Sequence, residues 1–285
     1  MKALAAEFGG SVKAEVLKLR KRPSTWVIAL ILILFVVLLD YGLSYLVFKT
    51  APRRLERSGE TLQSLITSTY PINIVRESLS DVSGIGACLA LILGALSMSS
   101  EYEWRTLRAM FTQAPGRLTV LAAKAAVLVP VAAILSVMVL AAAALSSLGV
   151  GSLDGHVSGW PAVSQVVGGF LAVWLILSVW VALGVLLGVL LRQTGMAIAA
   201  GLVYIIVIEG LILGLFASNG VIEAVKKVFP GANAKALGLA FGKIPLSGSA
   251  TPLVGAGQAV AVLVGYLVVF VGISALLLRR RDVVS

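Results

Sequence analysis

The sequence predicts an all-α membrane protein with six transmembrane helices. Of its 285 residues, 59% are hydrophobic and 13% are charged, with a mean hydropathy of +1.02, which is unlike a soluble domain. A helix needs about 20 mostly apolar residues to cross a bilayer. We therefore predict spans at 26–48, 82–98, 118–148, 163–191, 196–217 and 256–278, the second extending upstream toward residue 72.

The basic residues predict the orientation of these spans. The net charge is +10, but Lys and Arg cluster at the edges of apolar runs, which favours anionic lipid headgroups over nucleic acid as the partner. The segments 1–25, 99–117, 192–195 and 279–285 contain 13 basic residues, and the opposite set contains 9. The positive-inside rule then places both termini in the cytoplasm.

The segment 1–25 has the pattern of an amphipathic helix. Four apolar residues recur at helical spacing: Phe8, Val12, Val16 and Leu19. Five basic residues occupy much of the rest and are candidates for contact with the membrane surface: Lys13, Lys18, Arg20, Lys21 and Arg22. We predict a cytoplasmic surface helix that ends before Pro23. The alternative is a charged anchor that only orients the first span.

We predict one transmembrane domain, 1–285. Its parts are the amphipathic helix 1–25, spans 1 and 2 in 26–98, a loop at 99–117, spans 3 to 5 in 118–217, an external segment at 218–255, and the last span with a cytoplasmic tail in 256–285. Pro230, Pro245 and Pro252 interrupt the external segment. Short re-entrant or interfacial helices are therefore predicted there.

The loop 99–117 has the punctuation of a short cytoplasmic helix. Ser100 followed by Glu103 matches a capping box, and Pro115-Gly116 ends the pattern. An apolar stripe is spaced along it and consists of Trp104, Leu107, Met110 and Phe111. Large anchors with Arg105 and Arg108 beside them are typical of interface hot spots, and a helix of this kind docks in a groove. The alternative is that the stripe rests on the membrane interface.

This loop also resembles a known family. The stretch 100–124, S-E-Y-E-W-R-T-L-R-A-M-F-T-Q-A-P-G-R-L-T-V-L-A-A-K, is similar to the loop of ABC-2 type ABC transporter permeases, which has an E-Y-x-x-G-T-L-R core. The matching residues are Glu101, Tyr102, Thr106, Leu107, Arg108, Arg117 and Lys124. Arg105 and Ala123 stand where the family often has Gly.

The resemblance implies the transmembrane subunit of an exporter, with a coupling helix in the loop that docks on a separate ATPase. The docking residues would be Glu101, Tyr102, Trp104, Arg105, Thr106, Leu107, Arg108, Met110 and Phe111. It also implies a second permease copy, ATP and Mg on the partner, a bacterial plasma membrane, and an amphipathic small molecule, lipid or glycan precursor as cargo.

The chain itself lacks the motif for ATP hydrolysis. No G-x-x-x-x-G-K-[ST] sequence occurs: at its nearest approach, Gly242-Lys243, Leu237 replaces the first Gly and Ile244 replaces the hydroxyl residue. One cysteine, Cys88, and one histidine, His156, are too few for a thiolate or His-based metal centre. We therefore predict no catalytic residues, metal or cofactor in this chain.

Two acids lie inside the predicted spans, Asp40 and Glu209. Ionisable groups in hydrocarbon are costly and often functional, so both are candidates for the translocation pathway, together with Tyr41, Tyr45 and Tyr204. The alternative is that they are protonated, bonded to neighbouring helices or hydrated near the outer headgroups.

Two further functional hypotheses remain open. In the first, the chain is a secondary transporter or ion channel that works without ATP and uses Asp40 and Glu209. In the second, it is a membrane anchor whose loop recruits a cytoplasmic protein. The spacing Gly184-x-x-x-Gly188 adds a structural expectation, close helix packing within the subunit.

Overall fold

The computed structural model describes residues 2–50, 62–103, 116–155, 159–212, 224–242 and 252–280, and these form helices without any strand. Six helices are long and apolar enough to cross a membrane. We call them spans 1 to 6: Pro23–Thr50, Pro71–Glu103, Leu118–Asp154, Val163–Leu191, Thr194–Leu211 and Ala256–Arg280. The three further helices used below are α1 (Lys2–Lys21), α2 (Leu62–Ser68) and α3 (Pro230–Leu239).

The six helices coincide with the six predicted spans, and the predicted extension of span 2 toward residue 72 is confirmed. Its helix begins at Pro71, so 71–81 are helical and not part of an external connection. Arg76, Glu77 and Asp81 are each less than 10% exposed there, whereas the charge pattern placed them in the segment 49–81. The count of basic residues wrongly included 71–81 in a connecting segment, because its charged groups are covered by neighbouring helices.

Spans 2 and 4 form the centre of the bundle. In the most apolar stretch of each, 72% of the residues are buried, against 11% in spans 5 and 6. Glycines allow the two central backbones to touch: a Cβ on Gly184 would overlap the Leu91 carbonyl, and a Cβ on Gly94 would overlap the Val181 carbonyl. The prediction that Gly184 and Gly188 serve packing within the subunit is thus confirmed.

Helix α1 precedes span 1 with a sharp break between them. It ends at Lys21, Arg22 is extended, and Pro23 is the first residue of the next helix, as expected for a proline at a helix start. α1 packs against span 3. Its predicted contact with a membrane surface stays a prediction.

Helix α3 lies in the predicted broken segment 218–255. It packs against span 6 and against the first turns of span 2, Ile74–Asp81. It begins at Pro230, and it is ten residues long, about 15 Å. That length is too short to cross a bilayer, while its depth in the membrane stays a prediction.

Three spans contain π-helical segments, in which the hydrogen bonds skip one residue more than in an α-helix. They are Phe35–Gly42 in span 1, Val82–Gly86 in span 2 and Val203–Ile212 in span 5. Asp40 and Glu209 lie within two of them, and Asp81 immediately precedes the third. π-Helical insertions are rare overall but frequent at functional sites, which makes these three acids candidates for a functional role.

Candidate functional site

Four charged side chains of helix α1, span 2 and span 3 meet in one place, and we call them the loop network: Glu15, Lys18, Glu101 and Lys124. The Lys124 Nζ atom lies 2.9 Å from Glu15 Oε2, 2.8 Å from Glu101 Oε1 and 2.9 Å from the Ser97 carbonyl oxygen. An ammonium group has three donors. Lys124 therefore has an acceptor for each of them, although its side chain is only 1% exposed.

Lys18 completes the loop network from helix α1. Its Nζ atom lies 2.8 Å from Glu15 Oε1 and 2.8 Å from Glu101 Oε1. Two carboxylates thus face two ammonium groups, and this pairing offsets the cost of removing four charges from water.

The pKa values of two of these groups reflect the pairing. Burial alone would raise the pKa of Glu15, but the charges and hydrogen bonds of Lys124 and Lys18 outweigh it, and the pKa lies below its ordinary value. Burial alone would lower the pKa of Lys18, but hydrogen bonds to Glu101 and Glu15 raise it above its ordinary value. Both shifts favour the charged forms.

The loop network joins helix α1 to spans 2 and 3, the two helices that precede and follow the segment 104–115 in the chain. Glu101 lies in the last turn of span 2, before that segment, and Lys124 lies in the second turn of span 3, after it. Glu15 and Lys18 come from helix α1. Both ends of the segment are therefore fixed to each other and to α1 by ion pairs.

The end of span 2 also contacts the link between spans 4 and 5. The Glu103 carboxylate accepts a hydrogen bond of 2.7 Å from the Thr194 backbone N–H, which satisfies a free donor at the start of span 5. The Arg192 guanidinium lies 5.8 Å from the centre of the Tyr102 ring, within cation–π range. A movement of the segment 104–115 would act directly on this link as well.

These contacts correct two sequence-based expectations. Ser100 does not cap a new helix, because span 2 continues to Glu103 and the Ser100 hydroxyl donates to the Leu96 carbonyl one turn earlier. Glu101, predicted to dock on a partner, is 1% exposed, so its carboxylate faces the loop network. Tyr102 is half-buried and contacts Arg192. The other predicted docking residues lie outside the described residues: Trp104, Arg105, Thr106, Leu107, Arg108, Met110 and Phe111.

Two of the five basic residues predicted for the membrane surface bind within the protein instead. Lys18 belongs to the loop network, and Arg22 donates a hydrogen bond of 3.2 Å to the Leu96 carbonyl. Lys13, Arg20 and Lys21 are exposed and stay available for lipid. The helical spacing did not distinguish Lys18 and Arg22 from the three exposed residues, because the residues of spans 2 and 3 that face α1 decide which basic side chains bind within the protein.

A second buried polar group lies between spans 1 and 2, and we call it the acid cluster: Asp40, Tyr41, Arg76, Glu77 and Asp81. Arg76 Nη2 and Glu77 Oε1 form an ion pair, and Asp40 and Asp81 interact electrostatically with Glu77. Asp40 and Tyr41 belong to the π-helical part of span 1, which packs against Ile74–Asp81. Sequence analysis identified Asp40 and Tyr41 but not the three residues of span 2.

Glu209 lies in a different environment from Asp40. Its carboxylate accepts hydrogen bonds from the Tyr204 hydroxyl and from the Gly231 backbone N–H, and Lys235 is its nearby positive charge. Since Gly231 is the second residue of α3, Glu209 caps the start of that helix. A Cβ at Gly231 would overlap the Glu209 carboxylate, so the close approach requires glycine.

The predicted pathway residues are thus divided between two places. Asp40 and Tyr41 belong to the acid cluster, whereas Tyr204 and Glu209 lie beside α3. The Tyr204 ring is stacked on Phe229 with ring centres 6.4 Å apart. Tyr45 is half-buried under the Lys49 ammonium, 5.5 Å from its ring centre. Their role in a pathway stays a prediction.

An apolar groove lies between spans 3, 4 and 6. Its cavity volume is about 50 Å³, and Leu128, Val181 and Leu267 are among the side chains that line it. Ser178, Ser274 and the buried stem of Lys124 also contribute to its wall. Its lining is of the apolar kind that contacts hydrocarbon groups, and its size fits a small apolar group.

The comparisons with known proteins give a family but no activity. No curated protein matches the chain. Residues 66–284 match the model of a family described as "Protein of unknown function (DUF2705)". The match runs from helix α2 to beyond the end of span 6, which is more than half of the chain. This chain therefore belongs to the DUF2705 family.

Proposed function

We propose that the chain is the transmembrane subunit of an ATP-driven exporter of the ABC-2 type. A second permease copy would complete the pathway, and two separate ATPase subunits would bind ATP and Mg. The cargo would be an amphipathic small molecule, lipid or glycan precursor. Six apolar helices and the loop resemblance at Glu101–Lys124 support this proposal.

The loop network is the observation on which the proposal depends most. A coupling device must transmit a movement of the docking segment to several spans at once. Ion pairs from Glu101 and Lys124 connect the two ends of the segment 104–115, and Glu15 connects them to helix α1. Buried, fully paired charges hold one discrete geometry, so a force on the segment would move α1 and spans 2 and 3 together.

The apolar groove supports the proposed class of cargo. It lies between spans 3, 4 and 6, and Lys124 of the loop network belongs to its wall. A displacement of span 3 would therefore change the groove. By this mechanism ATP-driven movement of the segment would alternate the access of an apolar group bound there.

Co-purification tests the proposal. The tagged chain, extracted from the membranes of its own cells in mild detergent, is expected to retain a protein with a G-x-x-x-x-G-K-[ST] motif and ATPase activity, identified by mass spectrometry. A variant with Trp104→Glu, Leu107→Glu and Phe111→Glu should lose it. Trp160→Glu is the matched control, because Trp160 is a half-exposed aromatic residue outside the loop.

Two outcomes would contradict the proposal. One is an ATPase that stays bound to the triple variant as tightly as to the control. The other is transport of cargo by the purified, reconstituted chain without any nucleotide-hydrolysing subunit.

The second candidate is a transporter or channel driven by an ion gradient. The specific observation in its favour is the acid cluster, in which Asp40 has Asp81 as a nearby acid. Glu209 fits this role less well, since its carboxylate caps α3. Ion-driven flux through vesicles that contain only this chain would favour this candidate over the exporter.

A further inference from the structure

The acid cluster has more negative than positive charge among its described members. Asp40, Glu77 and Asp81 are carboxylic acids, and Arg76 is the one cation that acts on them. Arg76 is ion-paired with Glu77. The two aspartates are therefore left without a cation of their own in this part of the chain, and two adjacent buried carboxylates cannot both stay charged without a counter-charge.

Three buried polar atoms of the acid cluster have no hydrogen-bond partner in the described part of the chain. Asp81 is 7% exposed and Tyr41 is 1% exposed. Asp40 Oδ2, Asp81 Oδ2 and the Tyr41 hydroxyl have no hydrogen-bond partner among the described residues. Tyr41 nevertheless interacts electrostatically with Asp40, Glu77 and Asp81. Buried polar groups normally have hydrogen-bond partners, so a donor and two acceptors left unbonded among interacting side chains are consistent with a binding site for a small polar ligand.

The backbone around the acid cluster is π-helical in both contacting spans. Asp40 lies in the π-helical segment Phe35–Gly42, and Asp81 directly precedes the π-helical segment Val82–Gly86. Two such segments in contacting spans are unusual, and π-helical geometry is common at binding sites. Gly242 lies beside Arg76. Its φ is 141°, and a Cβ at this position would lie 3.1 Å from Arg76 Cδ.

We propose that the acid cluster binds one exchangeable monovalent cation between Asp40 and Asp81, with the Tyr41 hydroxyl as a neutral oxygen ligand. The described residues contain no group of three acidic, histidine or cysteine side chains that could hold a metal ion together, so the proposed site has two acids only, Asp40 and Asp81. Either a proton or an alkali ion would supply the single positive charge that the two aspartates need. The proposal is independent of the exporter function.

The groups that surround the site are few. Ile74–Asp81 packs against spans 3 and 4, helix α3 and the π-helical part of span 1. Of these elements, span 1 supplies Asp40 and Tyr41, and span 2 supplies Arg76 and Glu77. Spans 3 and 4 and α3 supply no titratable group that acts on Asp81 among the described residues; Lys235 of α3 acts on Glu209.

Thermal unfolding of the purified full chain in lipid nanodiscs tests the site. Wild type is compared in lithium, sodium, potassium and N-methylglucamine chloride at constant ionic strength, from pH 5.5 to 8.5. A ligand that binds the folded state raises the midpoint in proportion to the logarithm of its concentration. An alkali-ion site predicts a higher midpoint in one small cation, whereas a proton site predicts a higher midpoint at low pH in every salt.

Variants identify the site. Asp81→Asn should abolish whichever dependence wild type shows, and Glu209→Gln, an acid outside the cluster, should leave it intact. Tyr41→Phe keeps the ring and removes only the hydroxyl. It should raise the cation concentration at half-saturation by about tenfold, as expected for the loss of one bond to a charged group. This second variant keeps the test valid where Asp81→Asn does not fold.

Two results would overturn the proposal. A wild-type midpoint that depends neither on the cation nor on pH would exclude an exchangeable cation. A dependence that survives in both Asp81→Asn and Tyr41→Phe would place the site elsewhere in the protein.

Discussion

The loop network and the acid cluster are both buried and both charged, but they differ in charge balance. In the loop network, Glu15 and Glu101 face Lys18 and Lys124 at 2.8–2.9 Å. In the acid cluster, Arg76 pairs with Glu77, while Asp40 and Asp81 each keep an oxygen without a partner among the described residues.

This difference separates two uses of buried charge. Buried ions that are balanced in charge and paired hold a defined geometry, and removal of a single member is expensive. An unbalanced group is stable only with a further ligand or proton, and so its occupancy can change during function. We therefore assign a mechanical role to the loop network and a binding role to the acid cluster.

The largest expected effect is from Lys124→Met, which deletes the central cation of the loop network and keeps its apolar stem. Glu15 and Glu101 would be left buried with Lys18 alone. The free energy of unfolding should fall by about 3–5 kcal/mol, as for other broken buried ion pairs. Denaturant-induced unfolding in nanodiscs would measure it.

The double variant Lys124→Met with Glu101→Gln is the control for this first prediction. Neutralising Glu101 as well should restore part of the lost free energy, because the two side chains interact directly. Fully additive losses would show that the Lys124–Glu101 contact has no energetic role.

The sequence predicted the position of Lys124 but not its partners. The loop resemblance placed Lys124 and Glu101 in one motif, yet Glu15 is 109 residues from Lys124 along the chain. Local spacing predicts which face of a helix is apolar, whereas the partner of a buried charge depends on how separate helices pack. For the same reason Lys18 and Lys21 looked equivalent in the sequence, although only Lys18 meets Glu101.

The two acids that the sequence grouped together, Asp40 and Glu209, are separated by the fold. Both lie in apolar runs about equally far from the predicted inner boundary, which gave no reason to distinguish them. Glu209 meets the N–H of Gly231, because α3 begins beside span 5. Asp40 meets the first turns of span 2, whose charged residues Arg76, Glu77 and Asp81 gave no sign in the sequence of facing span 1.

A smaller effect of opposite sign is expected from Asp81→Asn in N-methylglucamine chloride. The substitution removes one acid from a cluster with excess negative charge, so it should leave the free energy of unfolding unchanged or raise it by about 1 kcal/mol. The same unfolding assay as for Lys124→Met measures the change. A decrease in the free energy of unfolding as large as that from Lys124→Met would contradict the difference proposed between the acid cluster and the loop network.

The smallest effect is the pH dependence contributed by Glu15 and Lys18. The folded-state pKa of Glu15 is lowered, so its stabilisation is complete above its unfolded pKa of about 4.3 and is lost as pH falls through the folded pKa. The pKa of Lys18 is raised, so its stabilisation is complete below about 10.4 and is lost as pH rises through the folded pKa. Between about pH 5 and 10 these two groups should contribute no pH dependence. The difference in the free energy of unfolding between wild type and Glu15→Gln should therefore stay constant from pH 5.5 to 8.5. A difference that shrinks within that range would show that a group of the loop network titrates there, which contradicts the prediction.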